Sequence, residues 1–150
     1  MTRAALELLA MRPEVDAERL AAVGHDFGGM YLTILFGLDA RLDALAVMAP
    51  TARWGDWFLR YWPIADPADA YSAATARLDP VTWLAAGDGR PILLQFASED
   101  EYVPADVAAQ ITAAAGPDAE AATFETGHEM NEDARQARDA WLSERLGLGA

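Results

Sequence analysis

Four short apolar runs mark the chain: Leu20–Val23, Ala44–Ala49, Ile92–Ala97 and Ala121–Phe124. They are rich in Val, Ile, Leu and Ala and show no clean polar alternation, so they predict strands buried on both faces of a parallel sheet. Helical spacing fills the intervals. Ala4–Met11 puts Leu6, Leu9 and Ala10 on one face, and Gly29–Leu38 is apolar almost all round, as a helix buried behind a sheet would be. Pro104 opens a helix over Ala105–Ala115 that Gly116-Pro117 closes. Asn131–Leu146 carries Ala134, Ala137 and Ala140–Leu142 at helical spacing and ends at Gly147. Strand and helix alternate, which predicts an α/β fold: a parallel sheet of about four strands with helices on both faces and right-handed crossovers.

One stretch breaks that rhythm. Between Pro50 and Arg90 lie four of the five tryptophans (Trp54, Trp57, Trp62, Trp83), with Phe58 and Tyr61, interrupted by Pro63, Pro67 and Pro80. An excursion of this length between two strands covers a site, packs as a small lid, or pads one sheet edge with aromatics. Trp54, Trp57, Phe58 and Tyr61 are the candidate pocket wall.

Composition narrows the chemistry. At 150 residues the chain is the size of one domain. Eleven basic residues, all Arg, face 24 acidic ones, a formal net charge of −13. No basic stripe is available to track phosphates, which argues against nucleic acid and against an anionic membrane surface. There is no cysteine, so disulfides, thiolate metal sites and Cys nucleophiles drop out. Two histidines, His25 and His128, are too few for a His-rich metal cluster. Charges are mixed through Met1–Arg12, and no apolar run reaches the ~18 residues of a spanning helix. The expectation is a soluble cytoplasmic protein that needs no cofactor or metal.

The most informative segment is Val23-Gly24-His25-Asp26-Phe27-Gly28-Gly29, placed after a predicted strand and opening a buried helix. Gly-x-Nuc-x-Gly in that context reads as a nucleophile elbow, in which the central residue sits on a strained turn flanked by glycines that avoid clashes. The helix N-terminus behind it favours an anionic side chain or intermediate. His25, beside the elbow, reads as structural, packed under the turn. His128 is then the one side chain left to serve as a general base near neutrality.

At these residues the chain resembles the α/β-hydrolase superfamily, particularly its dienelactone-hydrolase-like and prolyl-oligopeptidase-like branches. Three stretches carry the resemblance: Arg12–Gly29, Gln95-Phe-Ala-Ser-Glu-Asp-Glu-Tyr-Val-Pro104, and Glu125-Thr-Gly-His-Glu-Met130. It implies one α/β-hydrolase-type domain over 1–150, with the excursion at 50–90 inside it. It also implies a triad of Asp26 as nucleophile, Asp100 as acid and His128 as base, in the chain order of that superfamily. The backbone N–H of Phe27 is the implied oxyanion donor.

Asp26 stands where those branches carry Ser or Cys. A carboxylate works best at saturated carbon, opening an epoxide or displacing halide to give an ester that activated water then cleaves. Haloalkane dehalogenases and epoxide hydrolases of the superfamily use Asp in this way, commonly followed by Trp or Arg where Phe27 stands here. Tyr61 and Tyr71 are the tyrosines on hand for ring opening, with neither assigned. The substrate is a small molecule: an ester, an epoxide or an alkyl halide. By the same resemblance the first four strands of the fold lie outside this sequence, along with the loop that donates a second oxyanion N–H. Loss of one such donor costs about 10²–10³ in rate. The elbow strand then becomes an edge able to pair with a second copy. The competing expectation is a truncated, non-catalytic relative that acts as an interaction module or has no activity.

Overall fold

The computed structural model describes residues 2–62 and 68–148. Pro63 and Pro67, two of the breaks read in the excursion, lie outside them. The four apolar runs form one parallel sheet in sequential order: β1 (Leu20–His25), β2 (Leu42–Met48), β3 (Ile92–Ala97) and β4 (Glu120–Phe124). Helices α1 (Thr2–Ala10), α2 (Phe27–Leu38), α6 (Ala105–Ala115) and α7 (Glu132–Arg145) lie where the periodicity predicts them. Among its described residues the excursion folds into three short α-helices: α3 (Trp54–Tyr61), α4 (Ala68–Thr75) and α5 (Pro80–Leu84).

Two unequal cores cover the two faces of the sheet. On one, Leu45, Val47, Leu94 and Phe96 meet Phe36 of α2, Leu84 of α5 and Ile111 of α6. On the other, Ala44, Ala46 and Leu93 receive Trp141 of α7. Each large apolar side chain fully buried this way stabilises the fold by about 1.5–3 kcal/mol. The small alanines on the second face let α7 approach with a single large residue as its anchor.

Burial on both faces holds for β2 and β3 only. The alternating accessibility of β1 and the largely exposed β4 follow from their places at the two edges, where one neighbour and part of the cover are missing. Val23 of β1 is accordingly 42% exposed.

Arg90 ties α2 to the sheet. Its guanidinium lies 3.9 Å from the centroid of the Phe36 ring and donates to the carbonyls of Phe36, Asp39 and Leu42. Those at the end of α2 have no partner inside the helix. Asp39, which closes α2, is buried and paired with Arg41 and Arg3. The Arg41 guanidinium holds its carboxyl well below the usual range. Among the described residues no helix is long and apolar enough to cross a membrane.

Candidate active site

The C-terminal ends of β1, β3 and β4 converge on one corner, the usual place for a site in a parallel α/β sheet. Asp26 turns the chain from β1 into α2 with φ 50° and ψ −124°, a conformation that non-glycine residues hold only under constraint. Two contacts supply it. The Asp26 N–H donates to the Met48 carbonyl at 2.9 Å, and its own carbonyl accepts from the Met30 N–H at 3.0 Å.

The glycines are not equally necessary. A Cβ on Gly24 would lie 2.6 Å from the Gly29 nitrogen, and one on Gly29 would lie 2.2 Å from Val47 Cγ1. Gly28 has open space around it. The close approach of helix to strand therefore rests on Gly24 and Gly29, which corrects the expectation of a Gly24/Gly28 pair. The next residue, Phe27, opens α2, so its N–H falls in the first helical turn, where no intrahelical acceptor exists.

Asp100 follows β3. Its side chain is 1% exposed, and its Oδ1 accepts from the backbone N–H groups of Tyr102 (2.8 Å) and Val103 (3.1 Å). His128 follows β4 and places Nδ1 3.0 Å from both carboxylate oxygens of Asp100. An ionised carboxylate only accepts, so Nδ1 bears a proton, and in the neutral imidazole Nε2 keeps its lone pair. That lone pair faces Asp26, with Nε2 3.8 Å from Oδ2. Two acceptors cannot bond each other, and the distance is outside hydrogen-bond range. Asp26, Asp100 and His128 are thus brought together. Among the described residues two buried side-chain polar atoms, Asp26 Oδ1 and Trp57 Nε1, have no hydrogen-bond partner. Such atoms are costly and concentrate at functional sites.

The aromatic residues of α3 gather around Phe27. Trp54 stacks on its ring with centroids 5.6 Å apart, Trp57 meets it edge-on at 4.5 Å, and Phe58 lies at 5.7 Å. Trp54 and Trp57 are buried in the cluster, while Phe58 and Tyr61 are half-buried. Tyr61 stands further out. Its hydroxyl donates to the Glu101 carbonyl at 2.7 Å and its ring packs on Tyr102, which in turn meets His128 edge-on at 4.9 Å. Tyr71 sits behind Phe58, and burial raises its hydroxyl above the usual range. The sequence pattern does not single out Tyr102, although it lies inside the Gln95–Pro104 stretch. Nor does it show the bond from His25 Nε2 to the His128 carbonyl, 2.7 Å long. His25 reaches the base loop where a place under the turn was expected.

This architecture is a partial α/β-hydrolase fold. Acetyl xylan esterase from a Paenibacillus species superposes on 94% of the chain with a TM-score of 0.76 at 20% identity. A puromycin-hydrolyzing peptidase of Mycobacterium tuberculosis (97%, 0.77, 19% identity) and the acylaminoacyl peptidase of Pyrococcus horikoshii (97%, 0.77, 19% identity) do likewise. The chain spans 50%, 24% and 27% of those proteins respectively. In sequence it is similar to polyketide transferase af380 of Aspergillus fumigatus, 29% identical over 101 residues that make up 67% of this chain and 31% of that protein. No family model matches the chain.

Proposed function

We propose that the chain is a hydrolase of the α/β-hydrolase type that works through a covalent ester on Asp26. One observation carries the reading: His128 Nδ1 lies 3.0 Å from Asp100 while its Nε2 lies 3.8 Å from Asp26 on a strained elbow. In the first step a carboxylate oxygen of Asp26 attacks a saturated carbon. The bond to halide or epoxide oxygen breaks, and its electron pair leaves with that atom. In the second, His128 Nε2 takes a proton from water, and the resulting hydroxide adds to the Asp26 carbonyl carbon. The Phe27 N–H stabilises the oxyanion. Collapse breaks the ester C–O bond, and the alcohol leaves with the proton held by His128. Asp26, left as the free acid, releases its proton to solvent, balancing the expelled halide or the proton that the opened epoxide's alkoxide takes from water. The aromatic group of Trp54, Trp57, Phe58 and Tyr61 suits an apolar substrate wall. Alkyl halides and epoxides are the preferred substrate classes, with esters as the remaining class.

The test is a trap. His128→Gln retains the nucleophile and removes the base, so incubation with an alkyl halide or epoxide should leave a stable adduct on the peptide containing Asp26, read by mass spectrometry. Asp26→Asn should give none. Absence of any adduct, together with esterase activity created by Asp26→Ser, overturns the proposal. A second reading, a non-catalytic interaction module, is favoured by the open edge of β1, and pairing there with another copy would make the chain a homo-oligomer. Sedimentation giving a clean monomer at high concentration counts against it.

A further inference from the structure

His25 ends the edge strand β1, one residue before the elbow, and its ring reaches across to the loop that carries His128, 103 positions away in sequence. A carbonyl oxygen only accepts, so the Nε2 that lies 2.7 Å from the His128 carbonyl bears a proton and donates it. The two imidazole centroids are 4.8 Å apart with planes inclined by 43°. His25 also borders a cavity of about 340 Å³ shared with Met48, Asn131 and Arg138, so it is not wedged in place on every side.

The loop at the other end of this bond has few other anchors. The β3–β4 ladder runs out where the Glu99 N–H donates to the Thr126 carbonyl, and α7 is not capped until Asn131. Between them Met130 sits at φ 61° in a turn closed on Gly127. Asp100 holds one nitrogen of the His128 ring, which sets its tilt but not the position of its backbone. Asn131 Nδ2 reaches back to the Glu125 carbonyl at a long 3.5 Å, and among the described residues the short polar contact on the backbone of His128 itself is the one from His25.

We propose that His25 is a positioning residue that fixes His128 relative to the nucleophile; this rests on the triad reading above. Two adjacent residues of one chain turn then set both sides of the gap: Asp26 supplies the carboxylate, and His25 fastens the backbone behind the base. A misplacement of about 1 Å in such a constellation can cost on the order of 10² in rate. The effect is specific to one step. Attack of the Asp26 carboxylate on carbon needs no base, whereas deprotonation of water for ester cleavage does, so losing the His25 bond slows hydrolysis and leaves ester formation unchanged.

Two variants separate this role from mere packing. His25→Phe keeps a ring and loses the donor; His25→Gln presents an amide N–H near the place of Nε2. With a substrate that the native chain turns over, His25→Phe should lower kcat by about 10–10². The rate of adduct formation should stay unchanged, and the Asp26 ester should accumulate in quenched samples. His25→Gln should recover most of kcat. A second readout needs no turnover. In NMR spectra of the ¹⁵N-histidine-labelled chain, the Nδ1 proton of His128 should keep its native position in His25→Gln and shift or broaden in His25→Phe. If His25→Phe fails to fold, His25→Asn, whose amide is too short to reach, takes its place. A phenylalanine or asparagine variant that matches the native chain in both kcat and spectrum overturns the proposal, even where the His128→Gln trap has upheld the triad. If instead the trap yields no adduct, the triad reading fails by itself. The NMR comparison then decides the role of His25, and an unchanged His128 signal overturns it.

Discussion

At the elbow, geometry is enforced by backbone: a left-handed Asp26, a helix start, and two glycines with no room for one more carbon. Across the same corner, where Asp100 and His128 meet, it is enforced by hydrogen bonds: two N–H groups on the carboxylate, a carboxylate on the imidazole, an imidazole on a carbonyl. The first region is damaged by adding atoms and the second by removing polar ones. The nucleophile role proposed for Asp26 asks for a rigidly held carboxylate, and steric exclusion gives that. The base role proposed for His128 asks for accepting and releasing a proton, and only a network with defined donors and acceptors selects the right tautomer.

The sharpest way to break the comparison is Asp100→Asn. Its amide oxygen can still accept from Tyr102 and Val103, so the melting temperature should change little. The amide nitrogen, however, would face Nδ1 of His128 and favour the wrong tautomer. Ester cleavage should fall by about 10³–10⁴ while adduct formation on Asp26 persists, as single-turnover mass spectrometry would show.

Next in size is Gly24→Ala, which drives a methyl into the backbone of Gly28 and Gly29. Backbone cannot yield as a side chain does, so a loss of about 3 kcal/mol is expected in denaturant unfolding. A loss below about 1 kcal/mol would show the elbow to be softer than its packing implies.

At the far end of α2, Asp39→Asn tests whether polar enforcement extends beyond the site. Removing a buried, doubly paired carboxylate should cost about 2 kcal/mol at neutral pH. The Arg41 bond depresses this carboxyl, so the folded chain binds fewer protons than the unfolded one in mild acid. Its contribution is present above the unfolded value of about 3.9 and drains away as pH falls toward the lower folded value. The melting curves of variant and native chain should therefore converge below about pH 4.

The smallest effect belongs to Gly28→Ala. With open space around it in the first turn of α2, the change should be neutral or stabilising by up to about 1 kcal/mol. Clear destabilisation would mean that the elbow depends on a glycine at this position for something other than room.

Much of this arrangement was legible beforehand. The four apolar runs fall within a residue or two of the strands, because a crossover connection demands compact hydrophobic segments between helices. The elbow, Asp100 and His128 were legible because each follows such a run. What the one-dimensional pattern does not carry depends on distances between segments. Gly28 and Gly29 are indistinguishable in a one-dimensional pattern, and only the position of Val47 tells them apart. The exposure of β4 follows from its edge position, which composition does not encode. The bond from His25 joins positions 103 residues apart. The helices of the excursion are five to eight residues long, too short to display a period.

Phe27 unites two functions that engineers usually want to vary separately. Its backbone belongs to the helix start beside Asp26, and its ring is the hub on which Trp54, Trp57 and Phe58 converge. Randomising position 27 to widen a pocket would disturb the turn at the same stroke. A library at positions 54, 57 and 58 would reshape the proposed wall while leaving that turn alone, making α3 the adjustable layer of the molecule and the elbow its fixed mechanical part.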